Sequence, residues 1–216
     1  MKAQINKIIE TLKEIYPSLQ EPIVTEVAKE GNPFFVLIST ILSLRTKDKT
    51  TKEVAQKLLS VAKTPKEMLN LSVEEIAQLI YPVGFYNVKA KSILKVCEIL
   101  VEKYNSQVPN KLEDLLNLPN VGRKTANLVL SKGFNIPAIC VDTHVHRISN
   151  RLGIVKTKTP TQTEFELMKV LPKKYWIEYN DLLVPFGQNI CTPISPFCSK
   201  CKLESMCLKV GVKNSR

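Results

Sequence analysis

The chain has 216 residues, and 31 lysines and arginines against 20 aspartates and glutamates give it a formal net charge of +11. Its 44% hydrophobic and 24% charged residues exclude a wholly disordered chain, and the lack of any apolar run near 18 residues excludes a membrane-spanning helix. The N-terminus has no apolar signal core, which favours a cytoplasmic protein, and the positive charge favours a polyanionic partner such as nucleic acid.

Apolar residues recur at helical spacing along most of the chain, and alternating strand patterns are lacking, so the predicted fold class is all-α. In chain order, helices are expected at residues 5–12, 34–44, 54–61, 88–101, 112–116, 123–130, 145–152, 163–171 and 176–186. In the helix at 88–101 the lysines, beginning with Lys89, are expected to face solvent. The prolines fall mainly between these segments, where helix breakers belong, and Pro33 suits a first helical turn.

A turn at residues 118–122 separates the two helices expected at 112–116 and 123–130. Gly122 is predicted to supply the unusual backbone conformation, and Asn120 tolerates a left-handed one. Such a turn exposes backbone N–H groups at a helix start, which suits a DNA phosphate and is indifferent to base sequence. An ordinary helix connection is the alternative interpretation.

Lys124 lies in the first turn after this hairpin, where the positive end of the helix dipole favours a neutral amine. A neutral amine is a nucleophile that can form a Schiff base, although a surface lysine in contact with phosphate fits as well. Asp142 follows an apolar run and is predicted to cap a helix, which leaves room for a second role as a catalytic carboxylate. His144 and His146 are two residues apart, a spacing that argues against a helical metal site.

Four cysteines near the C-terminus have the spacing C-x6-C-x2-C-x5-C: Cys191, Cys198, Cys201 and Cys207. Thiolates at this spacing suit either tetrahedral zinc or an iron–sulfur cluster, and the spacing leaves both open. Lys200 and Lys202 flank them and would form a compact phosphate contact on a rigid loop. Cys97 and Cys140 lie in apolar segments and are predicted to be core thiols.

With the hairpin, Lys124, Asp142 and the four cysteines in this order, the sequence resembles the endonuclease III family of helix-hairpin-helix DNA glycosylases. Three motifs carry the resemblance, which extends over nearly the whole chain: Leu-Pro-Asn-Val-Gly-Arg-Lys-Thr-Ala-Asn, Val-Asp-Thr-His-Val-His-Arg and the cysteine tail. The resemblance implies a two-lobed fold, with a six-helix lobe at 26–136 and a second lobe formed by 1–25 and 137–216. The second lobe would carry a [4Fe–4S] cluster held by the four cysteines, and DNA would bind across the cleft between the lobes.

The resemblance also implies a bifunctional DNA glycosylase and abasic-site lyase that removes oxidised pyrimidines in base excision repair. Lys124 matches the family's nucleophile, which nicks the strand 3′ to the abasic site by β-elimination, and Asp142 matches its catalytic carboxylate. The expected partner is double-stranded DNA with damaged bases or abasic sites, bound by a monomer that would associate with the nucleoid in a prokaryote. The implied DNA contacts are Arg45, Phe85, Leu118, Asn120, Gly122, Arg123, Thr143, His144, Lys200 and Lys202.

Some of these positions depart from the family pattern. Asn120 stands where the family often has glycine, and Arg45 stands where many members have a glutamine that fills the gap left by the extruded base. A guanidinium could fill that gap and would alter the preference for the opposite base. Phe85 lies at the position of an apolar wedge, often leucine, with core packing as the alternative.

Two other functions stay open at this point. A mismatch-specific glycosylase for G·T or G·U pairs is suggested by Arg45. A non-catalytic iron–sulfur protein that only binds DNA is the other, and the pairing of Lys124 with Asp142 speaks against it.

Overall fold

A computed structural model describes residues 2–19, 22–29 and 31–216. These residues contain no β-strand, and none of their helices is long and apolar enough to cross a membrane. Met1, Gln20, Glu21 and Glu30 lie outside the described residues, so the segment expected at 1–25 is described at 2–19 and 22–25 only.

In chain order, the helices of the described residues are α1 (Lys2–Ile15), α2 (Ile23–Ala28), α3 (Pro33–Ser43), α4 (Asp48–Val61), α5 (Pro65–Met68), α6 (Val73–Ile80), α7 (Tyr86–Tyr104), α8 (Leu112–Leu116), α9 (Arg123–Leu128), α10 (Thr143–Arg151), α11 (Pro160–Val170) and α12 (Tyr179–Asn189). A turn of π-helix, Val129–Gly133, continues α9, and short 3₁₀ turns lie at Tyr16–Ser18, Lys173–Tyr175, Cys198–Lys200 and Glu204–Met206. The chain divides into two compact units, one formed by Met1–Pro22 with Pro137–Arg216 and the other by Ile23–Ile136.

Side-chain caps in the sequence set where several helices begin. The Asn32 side chain accepts a hydrogen bond from the Phe34 N–H at 2.9 Å, with Pro33 in the first turn of α3 as predicted. Ser72 and Glu75 form a reciprocal capping box at α6. These bonds satisfy N–H groups that have no partner within the helix.

The unit Ile23–Ile136 is built around α3. Every residue from Val36 to Leu42 is at most 1% exposed, because α2, α4, α7 and α9 pack against this helix. The described part of this unit holds eight helices where six were expected. The difference arises because single-turn segments such as α5 and α8 are counted as helices here.

The prediction that Lys89 faces solvent is wrong. Lys89 is 6% exposed, whereas its neighbour Val88 is 58% exposed. The buried face of α7 therefore begins with a lysine, whose polar end is satisfied by backbone carbonyls inside the unit. The apolar pattern could not reveal these carbonyls because they lie more than 40 residues away in the chain.

The other unit contains α1, α10, α11 and α12. The predicted apolar face of α1 is buried, with Ile8, Ile9 and Leu12 at most 1% exposed, and it packs against α12. The helix expected at 176–186 begins at Tyr179, because a 3₁₀ turn occupies 173–175. Cys140 in this unit and Cys97 in the other are 2% and 0% exposed, as predicted for core thiols.

Candidate active site and cysteine centre

The hairpin between α8 and α9 is a compact turn anchored by its apolar residues. Leu118 and Val121 are 3% and 5% exposed, and the Val121 N–H donates to the Leu118 carbonyl at 3.2 Å. The Ser92 hydroxyl of α7 braces the turn by donating to the Pro119 carbonyl at 3.3 Å. The buried side chains and these hydrogen bonds together fix the backbone of the turn.

The left-handed residue of this turn is Asn120, not Gly122. Asn120 has a φ of +59°, while Gly122 is extended, with φ −92° and ψ 178°. The expectation that Gly122 supplies the unusual conformation is therefore wrong, since any residue can adopt its backbone angles. A Cβ added to Gly122 would find no atom within 4 Å, so the space beside the first turn of α9 is open.

Lys124 is the second residue of α9 and is half-buried, while Thr125 and Ala126 behind it are buried. The Ala126 N–H donates to the Gly122 carbonyl at 2.9 Å, which begins the helix directly after the hairpin. The π turn that follows α9 is a feature often found near functional sites. The structure thus presents the Lys124 amine on the same short segment as the open backbone of the hairpin.

A second feature of the unit Ile23–Ile136 is a cavity of about 320 Å³. Arg45, Phe85 and Asn120 line it together with Ile41, Leu44, Val88 and Lys89. Arg45 and Phe85 are left-handed, with φ of +54° and +60°, as is Asn120. The Arg45 guanidinium carbon lies 5.5 Å from the centre of the Phe85 ring, and Phe85 is 59% exposed. Ordinary core packing of Phe85, one of the two interpretations of the sequence, is wrong.

Asp142 caps α10 as predicted. Its Oδ1 accepts a hydrogen bond from the Val145 N–H at 2.8 Å, and the residue is half-buried. Thr143, the first residue of the helix, is exposed. The cap holds the carboxylate in one orientation at the start of the helix.

His144 is oriented by the arginine one turn later in α10. Arg147 Nη2 lies 3.0 Å from His144 Nδ1 and donates to the carbonyls of Gly187 and Cys191 at 3.0 and 2.8 Å. A Cβ on Gly187 would lie 2.5 Å from His144 Nδ1, so the glycine permits this close packing of α12 on α10. Because Nδ1 faces a guanidinium donor, Nε2 carries the proton in the neutral ring.

The four C-terminal cysteines surround one cavity, which is otherwise lined by apolar side chains such as Ile148, Phe186 and Phe197. All four are half-buried free thiols. In the parts of the chain that the structure describes, no three His, Cys, Asp or Glu side chains are grouped closely enough to hold a single metal ion. The four cysteines nevertheless line the same cavity, as their spacing suggested.

Several hydrogen bonds converge on these sulfurs. The Lys209 N–H donates to Cys207 Sγ at 3.3 Å, and the Arg151 guanidinium donates to Cys191 Sγ at 3.3 Å. Burial raises the pKa of the Cys201 thiol to about 11 and also raises the pKa of Cys207. N–H donors directed at sulfur and an apolar surround are the environment in which thiolates ligate iron–sulfur clusters, and binding of a cationic core would favour the deprotonated form. The donor set therefore fits a cluster.

Lys200 and Lys202 are exposed on the cysteine loop. Lys209, the third lysine of this region, is instead paired with Glu204, with Nζ 2.7 Å from Oε1. Sequence reasoning missed the arginines Arg147 and Arg151, which tie the loop to α10, and it missed Lys89. Their signals were faint because each acts through backbone carbonyls far away in the chain.

Residues 38–173 match the family model described as HhH-GPD superfamily base excision DNA repair protein. Endonuclease III of Thermotoga maritima is 52% identical over 179 residues, which cover 83% of this chain and 84% of that protein. Endonuclease III of Escherichia coli K12 is 39% identical over 196 residues, which cover 90% and 93% of the two chains.

The solved structures that resemble this chain also include endonuclease III. An endonuclease III trapped as a covalent intermediate with DNA has a TM-score of 0.84 and 36% identity, over 97% of this chain and 96% of that chain. A non-covalent endonuclease III–DNA complex has a TM-score of 0.85 and 35% identity over the same shares. A thermostable thymine-DNA glycosylase has a TM-score of 0.83 at 23% identity, a likeness that shows the fold alone.

Proposed function

The chain belongs to the endonuclease III family, whose members are DNA glycosylases with abasic-site lyase activity, and we propose roles for its residues in that reaction. We propose that the protein removes oxidised pyrimidines from double-stranded DNA through Lys124 and Asp142. The observation that carries the proposal is Lys124 itself, an amine in the first turn of α9 directly behind the hairpin. It stands in a chain 36% identical to an endonuclease III that was trapped covalently on DNA.

Lys124 would act as the nucleophile. Its neutral amine attacks C1′ of the damaged nucleotide, and the new N–C1′ bond forms as the bond to the base breaks and the base leaves with that electron pair. Opening of the sugar ring gives a Schiff base, and loss of a C2′ proton then expels the 3′ phosphate. Water hydrolyses the imine and returns Lys124 as the free amine.

Asp142 would serve the same reaction through its charge. The cap to Val145 holds one carboxylate oxygen in place, so the group is oriented before substrate arrives. A carboxylate can accept the proton released by the amine or stabilise positive charge on the sugar. Helix capping and catalysis are therefore compatible roles of one side chain.

DNA contacts of two kinds follow from the site. The hairpin, through Leu118, Asn120, Gly122 and Arg123, would hold the phosphate backbone of DNA without regard to base sequence, because a turn at a helix start suits a phosphate and carries no base-sequence information. Thr143, His144, Lys200 and Lys202 would contribute further phosphate contacts. Arg45 and Phe85 would instead enter the space left by the extruded base, since they line an open cavity and Phe85 projects into solvent.

The four cysteines would hold a [4Fe–4S] cluster. The four thiols around one apolar cavity and the N–H donors aimed at their sulfurs support this assignment. When bound, the cluster supplies a rigid cross-link, and the loop that it fixes presents Lys200 and Lys202. The purified protein should be coloured and contain iron and sulfide, whereas a colourless protein that contains zinc and no iron would refute the assignment.

We infer that the protein works as a monomer in the compartment that holds DNA, which is the cytoplasm and its nucleoid in a prokaryote. The positive charge of the chain supports this location, because it favours a polyanionic partner. Light scattering of the free protein and of its DNA complex measures the stoichiometry, and a stable dimer would contradict the monomer.

Borohydride trapping tests the nucleophile. With duplex DNA that carries thymine glycol, reduction should trap the wild type as a covalent complex and Lys124→Ala should trap none. Lys103→Ala, an exposed lysine at the end of α7, is the matched control and should trap like the wild type. Equal trapping by Lys124→Ala would show that the nucleophile is another group.

A mismatch-specific glycosylase is the second candidate, and Arg45 is the observation that favours it. A planar guanidinium at the rim of the cavity offers several N–H donors to an orphaned guanine. Cleavage of thymine-glycol, G·T, G·U and A·8-oxoguanine duplexes distinguishes the two functions. Predominant activity on the G·T and G·U pairs would replace the first proposal.

A further inference from the structure

We propose that Lys89 is a positioning residue for Arg45, and that through Arg45 it sets how the enzyme discriminates the base opposite the lesion. The proposal rests on the proposed function, since it takes Arg45 to occupy the gap left by the extruded base. Lys89 itself would touch no DNA. Its role is to hold the turn between α3 and α4, on which Arg45 lies.

The Lys89 ammonium is fully engaged in hydrogen bonds to that turn. Nζ donates to the Leu42 carbonyl at 2.7 Å, to the Leu44 carbonyl at 2.6 Å and to the Thr46 hydroxyl at 3.1 Å. An ammonium has three N–H donors, so each of them meets one acceptor. These acceptors alternate with Ser43 and Arg45 along the chain, and Arg45 therefore lies between two clamped residues.

The position of Lys89 is unfavourable for its own helix. A cation in the first turn of α7 faces the positive end of that helix's dipole, and the side chain is only 6% exposed. The end of α3 provides the compensation. Its last carbonyls lack partners within the helix, and its last turn contains no basic residue of its own. Lys89 thus acts as the missing C-terminal cation of α3.

A second set of contacts joins this turn to the one that carries Phe85. The Thr46 hydroxyl accepts a hydrogen bond from the Gly84 N–H at 3.3 Å while it also accepts from Lys89. A Cβ on Gly84 would lie 2.9 Å from the Arg45 carbonyl oxygen, so the two turns approach as closely as a glycine permits. The clamp therefore fixes the Arg45 backbone against the residue that precedes Phe85.

The conformation that the clamp holds is one that the chain would not adopt freely. Arg45 and Phe85 are both left-handed, and neither is a residue that favours this region. Such conformations persist where the surrounding structure fixes them. Without the ammonium, Arg45 would relax to ordinary backbone angles and its guanidinium would leave the cavity and the Phe85 ring.

The hydrogen bonds of Lys89 do not involve the segment that carries the proposed nucleophile, Lys124. Lys124 lies on α9, and none of the three acceptors of Lys89 belongs to that helix or to the hairpin. Loss of the clamp should change the steps that need the gap to be filled, which occur only in duplex DNA. Reaction at an abasic site in single-stranded DNA, which has no opposite base, should be spared.

Single-turnover cleavage rates of three proteins test the proposal: wild type, Lys89→Met and Lys91→Met. Methionine keeps an unbranched side chain and removes the three donors, and Lys91, exposed on the same helix, is the matched control. The substrates are duplexes with one lesion opposite each of the four bases, and a single strand with an abasic site.

In the wild type, the cleavage rate opposite the best base divided by the rate opposite the worst base measures the discrimination. We expect Lys89→Met to reduce this ratio by about tenfold or more, because a displacement of a positioned group by about 1 Å costs on the order of 10²-fold in rate. Its single-strand rate should stay within about threefold of wild type, a margin well below that displacement cost. Lys91→Met should match the wild type on every substrate. Equal losses on all five substrates, unchanged ratios in Lys89→Met, or a wild type without opposite-base preference would each overturn the proposal.

Two further variants make the test independent of how well Lys89→Met folds. Thr46→Val removes one acceptor and should shift the ratio in the same direction by a smaller factor. In an Arg45→Met background, Lys89→Met should change the ratio no further, whereas additive effects would show that Lys89 does not act through Arg45. A wild type that cleaves none of the substrates would refute the proposed function, and this inference with it. A wild type that cleaves while Lys89→Met keeps its ratios refutes this inference alone.

Discussion

The buried ammonium of Lys89 predicts an unusual dependence of stability on pH. Burial lowers the pKa of Lys89 from 10.5 to about 8. Above pH 8 the folded protein therefore releases this proton, while the unfolded chain keeps it until about pH 10.5. In that window the unfolded state binds more protons, so the free energy of unfolding rises with pH. Below pH 8 the folded state carries the full cost of the buried charge.

The size of the effect follows from the shift. A difference of 10.5 − 8 = 2.5 pKa units corresponds to at most about 3.4 kcal/mol, at about 1.36 kcal/mol per unit. Lys89 lines an open cavity, where solvent screens part of this cost, so we expect about 2 kcal/mol. Lys89→Met lacks the titrating group. The difference in the free energy of unfolding, wild type minus Lys89→Met, should therefore increase by about 2 kcal/mol between pH 8 and 10.5.

Urea unfolding followed by far-UV circular dichroism, at several pH values from about 7.5 to 10.5, measures the difference over the window in which the proton is released. Lys91→Met is the control, because an exposed lysine on the same helix should give a flat difference from the wild type. A wild-type minus Lys89→Met difference that is flat, or that falls as pH rises, would refute the reasoning.

Three other substitutions test single contacts of the site. Gly122→Ala should keep the free energy of unfolding within about 1 kcal/mol of wild type, because the added Cβ meets no atom within 4 Å, yet weaken duplex binding several-fold in an anisotropy titration; unchanged affinity would exclude a phosphate beside Gly122. Gly187→Ala places a Cβ 2.5 Å from His144 Nδ1 and should lower the free energy of unfolding, measured in urea, by about 1–3 kcal/mol. An unchanged free energy of unfolding would show that the helices accommodate the added methyl group. Asp142→Ser keeps an acceptor for the Val145 N–H, so stability should change by less than about 0.5 kcal/mol while base release slows by about 10²-fold or more. A Ser variant with the wild-type rate would leave Asp142 with the capping role alone.

Features that depend on neighbouring residues were predictable from the sequence. The buried stripe of α1, the Pro33 start of α3 and the Asp142 cap each arise from contacts within a few positions of the chain. The grouping of the four cysteines was also suggested by their close spacing, although Arg147 and Arg151 of the distant α10 add hydrogen bonds to the loop that the spacing did not reveal.

Features that depend on distant residues were not predictable. Lys89 resembles any solvent-facing lysine until the carbonyls of Leu42 and Leu44, more than 40 positions away, are placed around it. The left-handed strain at Arg45 and Phe85 is likewise imposed by packing of one turn on another, since neither residue type suggests it. The short helices α2 and α5 span too few residues for an apolar period to show.

The left-handed backbone of Arg45 and Phe85 lowers folding stability, while their side chains are proposed to serve lesion removal. Selection for one property should therefore act against the other at these two positions. A left-handed non-glycine residue costs about 1–2 kcal/mol relative to a relaxed one, a cost that glycine largely avoids. Phe85 is largely exposed, so its replacement by glycine forfeits little packing. A library selected for heat resistance alone should therefore accumulate glycine at positions 45 and 85, whereas selection for lesion removal should retain the larger side chains. Sequencing the two selected populations would show whether Arg45 and Phe85 are retained because they are needed for lesion removal.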